Sequence, residues 1–240
     1  MNWSFCIVFN KTDYLNRFVK SIINQEGLKK DRYQIVLVGK ESGSIDSMVQ
    51  PLQDNGIDII HIPFDESTKT GWITRKKNLA VQMSKYENLV ISHDYFALCR
   101  GWYKSFENFG CDWDVCMNQI RLLDNRRFRD WCYPRQWWGD WDWLKYDDNS
   151  KTHQMYISGS YWCAKKSYMA KNRLDENRTW GQGEDCEWSA RCRENWMYKM
   201  NKNAVVKILK GEDFMKINHP PEPIPDPEIH LNSVDYQIQD

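Results

Sequence analysis

Acidic side chains gather at two places where they could do chemistry. Asp94 closes Ser92-His93-Asp94 at the end of an apolar run, and a carboxylate there is the oxygen donor that a hard cation takes. Glu184 and Asp185 follow Trp180-Gly181-Gln182-Gly183. The glycines make a tight turn that another molecule can approach closely. A helix beginning at that turn favours ionised carboxylates in its first turn. One such carboxylate, held in place, can take a proton from a hydroxyl. Arg75, Lys76 and Lys77 concentrate positive charge, although such a run taken alone is a solvated helix face. Five of the thirteen tryptophans (Trp131, Trp137, Trp138, Trp141 and Trp143) crowd one segment, a density hard to assign to core alone.

The elements that must hold these groups alternate. Phe5 to Phe9 is a continuous apolar run, the pattern of a strand buried on both faces. Leu15, Phe18, Val19, Ile22 and Ile23 recur at helical spacing, with Asn10, Thr12 or Asp13 available as N-cap. Ile35 to Val38 is a second buried strand, Ile45 to Leu52 a second helix, and Ile57 to Ile62 a third strand. A third helix begins near Thr74, with Leu79, Ala80, Met83 and Tyr86 facing inward. Leu89 to Ile91 is a fourth strand, ending at Asp94. Strand–helix repeats of this length predict right-handed crossovers and an open, mostly parallel α/β sheet. Ligands of such sheets bind at the carboxyl ends of the strands, where Asp94 falls. Later come a short helix with Trp102, Phe106 and Phe109, and a strand at Val115 to Met117. The Trp-rich stretch 131–146 reads as a loop or lid, and Tyr156 to Trp162 as a strand interrupted by Gly159. A helix carries Trp188, Cys192 and Trp196, and Ala204 to Leu209 is a last strand. Residues 1–219 form one domain, followed by an extended Pro-rich tail, 220–240.

Composition excludes several classes. The formal net charge is zero, without the basic excess of a nucleic-acid binder. No apolar run approaches the roughly 20 residues that span a bilayer. Met1-Asn2-Trp3-Ser4 runs directly into a strand pattern without a secretory signal, so the expectation is a cytoplasmic protein with its eight cysteines reduced. No Cys-x-x-Cys pair offers a structural zinc site.

The order of these pieces resembles the GT-A glycosyltransferases, the Rossmann-like nucleotide-diphospho-sugar transferases, and family 2 in particular. Phe9-Asn10, Lys77-Asn78, Ser92-His93-Asp94, Ile157-Ser158-Gly159, Trp180 to Asp185 and His219 carry the likeness, over residues 3 to 219. The resemblance implies transfer of a sugar from a UDP- or GDP-linked donor to a glycan or other hydroxyl acceptor. Asp94 would hold Mn2+ or Mg2+ against the diphosphate, with His219 as a further ligand and His230 competing for that place. Imidazole suits Mn2+ better. Ser92 departs from the first acid of the family's Asp-x-Asp and would meet the ribose through a hydroxyl. Phe9, Asn10, Glu41, Lys77, Asn78, Ser92 and His93 would bind the nucleotide, and Glu41 stands in for the acid that relatives place after strand two. Asp185 would be the base of an inverting reaction and Glu184 its neighbour on the acceptor. Trp137, Trp138, Trp141 and Trp180 would stack on the acceptor sugar. A nucleotidylyltransferase on a similar sheet needs a Gly-rich turn after strand one, and Asn10 to Asp13 contains no glycine. A binding protein that kept the fold and lost turnover is the other alternative, kept open by Ser92.

Overall fold

The computed structural model describes residues 1–40, 43–134 and 141–210. In chain order the elements are β1 (Trp3–Val8), α1 (Leu15–Ile23), β2 (Tyr33–Gly39), α2 (Gly43–Asp54), β3 (Ile59–Pro63), α3 (Ile73–Met83), β4 (Asn88–His93), β5 (Phe96–Leu98), α4 (Trp102–Phe109), β6 (Val115–Arg121), β7 (Cys132–Pro134), β8 (Trp141–Trp143), β9 (Tyr161–Lys165), α5 (Lys166–Lys171), α6 (Glu184–Cys192) and β10 (Tyr198–Ile208). The main sheet runs β3-β2-β1-β4-β9-β6-β10-β5, and β7 pairs with β8 apart from it.

Every residue of β1 and β2 is buried, and the two polar ones, Ser4 and Gln34, are hydrogen-bonded to each other at 3.3 Å. β1 lies between β2 and β4, parallel to both. The sequence expectation of parallel strands holds for β3-β2-β1-β4 and for β6 with β10. It fails at β9, which is antiparallel to both neighbours, and at β5, which is antiparallel to β10. The sheet is therefore mixed. Tryptophan anchors much of the core: Trp3 packs against Trp102 and Phe106 with ring centroids 4.9 and 4.8 Å apart.

Several local expectations need correction. No side chain caps α1; its entry is the backbone bond from Leu15 N–H to the Thr12 carbonyl, 3.1 Å. Met83 is exposed, whereas Lys76 and Lys77 on the same helix are buried. The strand expected from Tyr156 begins only at Tyr161; the residues before it form a turn. Trp196 lies beyond the end of α6, although its ring still packs on Trp188 at 6.0 Å. The segment expected as a loop or lid contains the β7–β8 pairing, and Trp131 is fully buried beneath it. All eight cysteines are free thiols. The proposed tail, 220–240, lies outside the described residues.

Candidate active site

Strand register assembles the site. Val8 pairs with His93 across β1 and β4, so Phe9 and Asp94 leave the sheet side by side at its carboxyl edge. Tyr161 of antiparallel β9 pairs with Ser92, which brings the turn at Ser158 to Ser160 over the same edge. The amide of His93 donates to the Ser160 carbonyl at 2.9 Å and ties the turn down. α6 then points its first turn at Gly159. These pieces enclose a cavity of about 700 Å³ lined by Phe9, Asn10, Asp94, Gly159, Glu184 and Asp185 among others. That volume suits a nucleotide-sized ligand.

Asp185 is fixed with little slack. One carboxylate oxygen accepts the Gly159 amide at 3.1 Å, and the other accepts the amide of Cys186 at 2.9 Å. A Cβ on Gly159 would lie 2.6 Å from Oδ2 of Asp185, so only glycine fits there. Gly183, at φ 65°, caps α6 and turns the chain sharply into it. Glu184 is buried, with Oε1 3.4 Å from Nζ of Lys77. Gly39 makes a comparable approach behind the lining residue Phe9: a Cβ there would stand 2.5 Å from the Phe9 carbonyl oxygen.

Electrostatics separate the remaining groups. Burial pushes Asp94 up to about 6, despite the opposing pull of nearby Lys210 and Lys76. His93 is held well below its ordinary value by burial and by Lys77, Lys210 and Lys76, so it is a neutral imidazole at neutral pH. The amide of Leu209 donates to the Tyr95 carbonyl at 2.8 Å, bringing Lys210 to the cavity with Nζ 3.9 Å from the centre of the Tyr95 ring. Lys210 is lowered by burial.

The donor set bears on a cation. Among the described residues no three His, Cys, Asp or Glu side chains are grouped to hold a metal ion. A cage made wholly of protein is thus not what these residues build. Asp94 is instead a carboxylate whose burial opposes its charge, opening onto a cavity with room for phosphate oxygens. That arrangement fits a Mg2+- or Mn2+-type ion held by one carboxylate and completed by its substrate.

Of the residues expected from sequence, Phe9, Asn10, His93, Asp94, Glu184, Asp185 and Trp180 share the cavity. Trp180 stands at its rim, 67% exposed. Three others do not reach it. Ser92 is fully buried and its hydroxyl donates to the His93 carbonyl at 2.8 Å. Asn78 faces the other way, where its amide donates to the Leu174 carbonyl and to Glu176, each at 2.9 Å. Lys77 lies behind the lining, donating to the Gly159 carbonyl at 2.7 Å. These three stand behind the cavity lining rather than on it. Glu41, Trp137, Trp138, His219 and His230 lie outside the described residues, as does the side chain of Trp141, whose backbone pairs with Pro134. The sequence reading missed Glu66, Tyr95, Arg129 and Lys210, all of which line the cavity. Arg129 has a left-handed φ of 37°, rare for a non-glycine residue, and no spacing in the sequence signals it.

A mixed sheet whose parallel half carries this cavity at its carboxyl edge is the GT-A glycosyltransferase fold. Among solved structures of that fold, S. aureus TarS 1-349 matches with a TM-score of 0.63 and 14% identity, over 93% of this chain and 67% of that one. TarS 1-349 in complex with UDP-GlcNAc matches at 0.64 and 14%, over 88% and 60%. GalNAc-T7 with UDP, GalNAc and Mn2+ matches at 0.65 and 13%, over 87% of this chain but only 44% of that one. No protein-family model and no curated protein sequence matches the chain. Identity this low carries the fold and nothing finer.

Proposed function

We propose that the chain is a metal-dependent, inverting glycosyltransferase that moves a sugar from a nucleotide diphosphate to an acceptor hydroxyl. One observation carries the reading: Asp94 at the end of β4 and Asp185 at the start of α6 open onto one cavity, beside the Phe9–Asn10 turn. Phe9 and Asn10 flank the nucleoside. Asp94 and, from the chain beyond β10, His219 hold Mn2+ or Mg2+. When bound, the ion offsets the charge of the departing diphosphate. Lys11 and Lys210 add positive charge around the same cavity. Asp185 accepts the proton of the acceptor hydroxyl, its oxygens aimed by the amides of Gly159 and Cys186. The UDP, UDP-GlcNAc and GalNAc in the similar structures favour a UDP-linked donor. Trp180 at the rim, with Trp137, Trp138 and Trp141, supplies the acceptor's stacking surface.

The test is turnover of UDP- and GDP-sugars by the unmodified protein and by Asp185→Asn. The variant is expected to keep donor affinity and lose about 10²-fold or more in kcat, the scale of a positioned base. Transfer at close to the normal rate would overturn the inverting assignment. A second reading, a nucleotide-sugar binding protein without turnover, is favoured by Ser92, which puts a buried hydroxyl where an acid is usual. Tight donor binding with no transfer and no hydrolysis would select it.

A further inference from the structure

Lys76 and Lys77 are consecutive on α3, and the helix directs them to opposite sides of the cavity. Neighbouring residues project about 100° apart around a helix, so one turn can serve two places. Lys76 is 1% exposed. Its ammonium forms an ion pair with Glu66 at 2.5 Å and donates to the Phe9 carbonyl at 3.3 Å and to the Asn10 side chain. It therefore joins the turn after β1 to the Glu66 segment, and both border the cavity. Lys77 is fully buried. It donates to the Gly159 carbonyl at 2.7 Å, lies 3.4 Å from Glu184, and sits 5.1 Å over the ring of Trp162. Gly159 is the residue whose amide holds Asp185.

We infer that α3 is the part that sets the two halves of the site against each other, with Lys76 positioning the donor turn and Lys77 positioning the Gly159–Asp185 pair. Neither lysine borders the cavity, so each acts through the residue it holds. A buried ammonium is costly unless paired, and here two are kept on successive residues. Helix propensity gives no reason for that, since an apolar residue would pack as well. The holding contacts do. Burial lowers the affinity of Lys77 for its proton, and Glu184 and Asp185 oppose that shift.

The inference rests on the transferase reading, and one experiment separates the two. UDP affinity is measured by calorimetry with Mn2+, and steady-state hydrolysis of UDP-GlcNAc is measured alongside. The proteins are the unmodified chain, Lys77→Met, Lys77→Arg and the paired change Lys76→Met with Glu66→Gln, which leaves no buried charge alone. The paired change is expected to weaken UDP binding and raise KM by about tenfold or more, with the smaller effect on kcat. Lys77→Met is expected to lower kcat by roughly 10²-fold, the scale of an ångström's misplacement, while UDP affinity stays within about twofold. Lys77→Arg should recover part of that loss. Equal loss of affinity and kcat in both variants, or no loss in either, overturns the division of labour. If Lys77→Met does not fold, Lys77→Arg alone decides: its kcat must fall with UDP affinity retained. No UDP binding and no hydrolysis by the unmodified chain would overturn the transferase reading beneath it.

Discussion

Burial resists the charge on Asp94, whereas the cation binding proposed for it needs that charge. Its proton affinity in the folded chain, near 6, exceeds that of an unfolded aspartate, near 3.9. The folded state thus binds the proton more tightly, so the carboxyl costs stability as pH rises from about 4 through 6. Asp94→Asn, without metal, should therefore melt close to the unmodified protein at pH 4 and clearly above it at pH 8. Thermal unfolding at both values checks this; equal shifts at the two would contradict it. In the unmodified chain, Mn2+-dependent UDP affinity should be flat above pH about 6 and fall toward tenfold per unit below it, as the proton competes. Gly159 offers a second residue-scale test. Gly159→Ala places a methyl 2.6 Å from the Asp185 carboxylate, which has to move. Sugar transfer should drop about 10²-fold with UDP affinity kept. Unchanged transfer would show that Asp185 needs no such placement. The sequence made Asp94 and Asp185 legible because both end or begin an element with clear periodicity. It did not show that Ser92, Lys77 and Asn78 sit behind the lining, because residues on one strand end or helix turn divide between cavity and interior, which spacing alone does not reveal.

Elements with strong patterns were readable, and those fixed by distant contacts were not. The first four strands and three helices follow from apolar runs and helical spacing, within a few residues of their observed ends. β5 is three residues long and exists through its pairing with β10, so Phe96 to Leu98 carries too little pattern to announce a strand. The arm leading to β7 depends on Asp130, which is fully buried and was given no role from sequence. Its carboxylate accepts from the Ile120 and Trp131 amides, from Tyr146 and from Arg127, at distances of 3.1, 2.7, 2.8 and 2.8 Å. The guanidinium of Arg127 continues to the Leu144 carbonyl at 2.9 Å, joining the segments on either side of the β7–β8 pair. Asp130→Asn removes the carboxylate charge that pairs with that buried guanidinium at 2.8 Å. A loss of about 3 kcal/mol or more is expected, seen as a melting temperature lower by roughly 10 °C. A change of only a degree or two would mean that the arm is held by its aromatic packing instead.

At the scale of the whole molecule, the parallel half of the sheet supplies the cavity edge and the second half brings the residues that complete it. The sequence repeats foretold the first, since crossovers between buried strands force parallel pairing. They could not foretell that β9 enters antiparallel beside β4, although that reversal is what carries Gly159 and then α6 to Asp94. Most of the tryptophans with a described side chain are core, including Trp3, Trp102, Trp131, Trp162 and Trp188, so abundance alone did not identify an acceptor surface. Trp180 remains the exposed ring at the rim. The proposed transferase activity depends on this cavity binding a nucleotide diphosphate through a divalent ion held by Asp94. Calorimetric titration of UDP and GDP, with and without Mn2+, into the unmodified protein and Asp94→Ala tests it most directly. One nucleotide is expected to bind, with a requirement for Mn2+ and at least tenfold weaker affinity in Asp94→Ala; binding that persists undiminished without the metal, or in the variant, would rule this out.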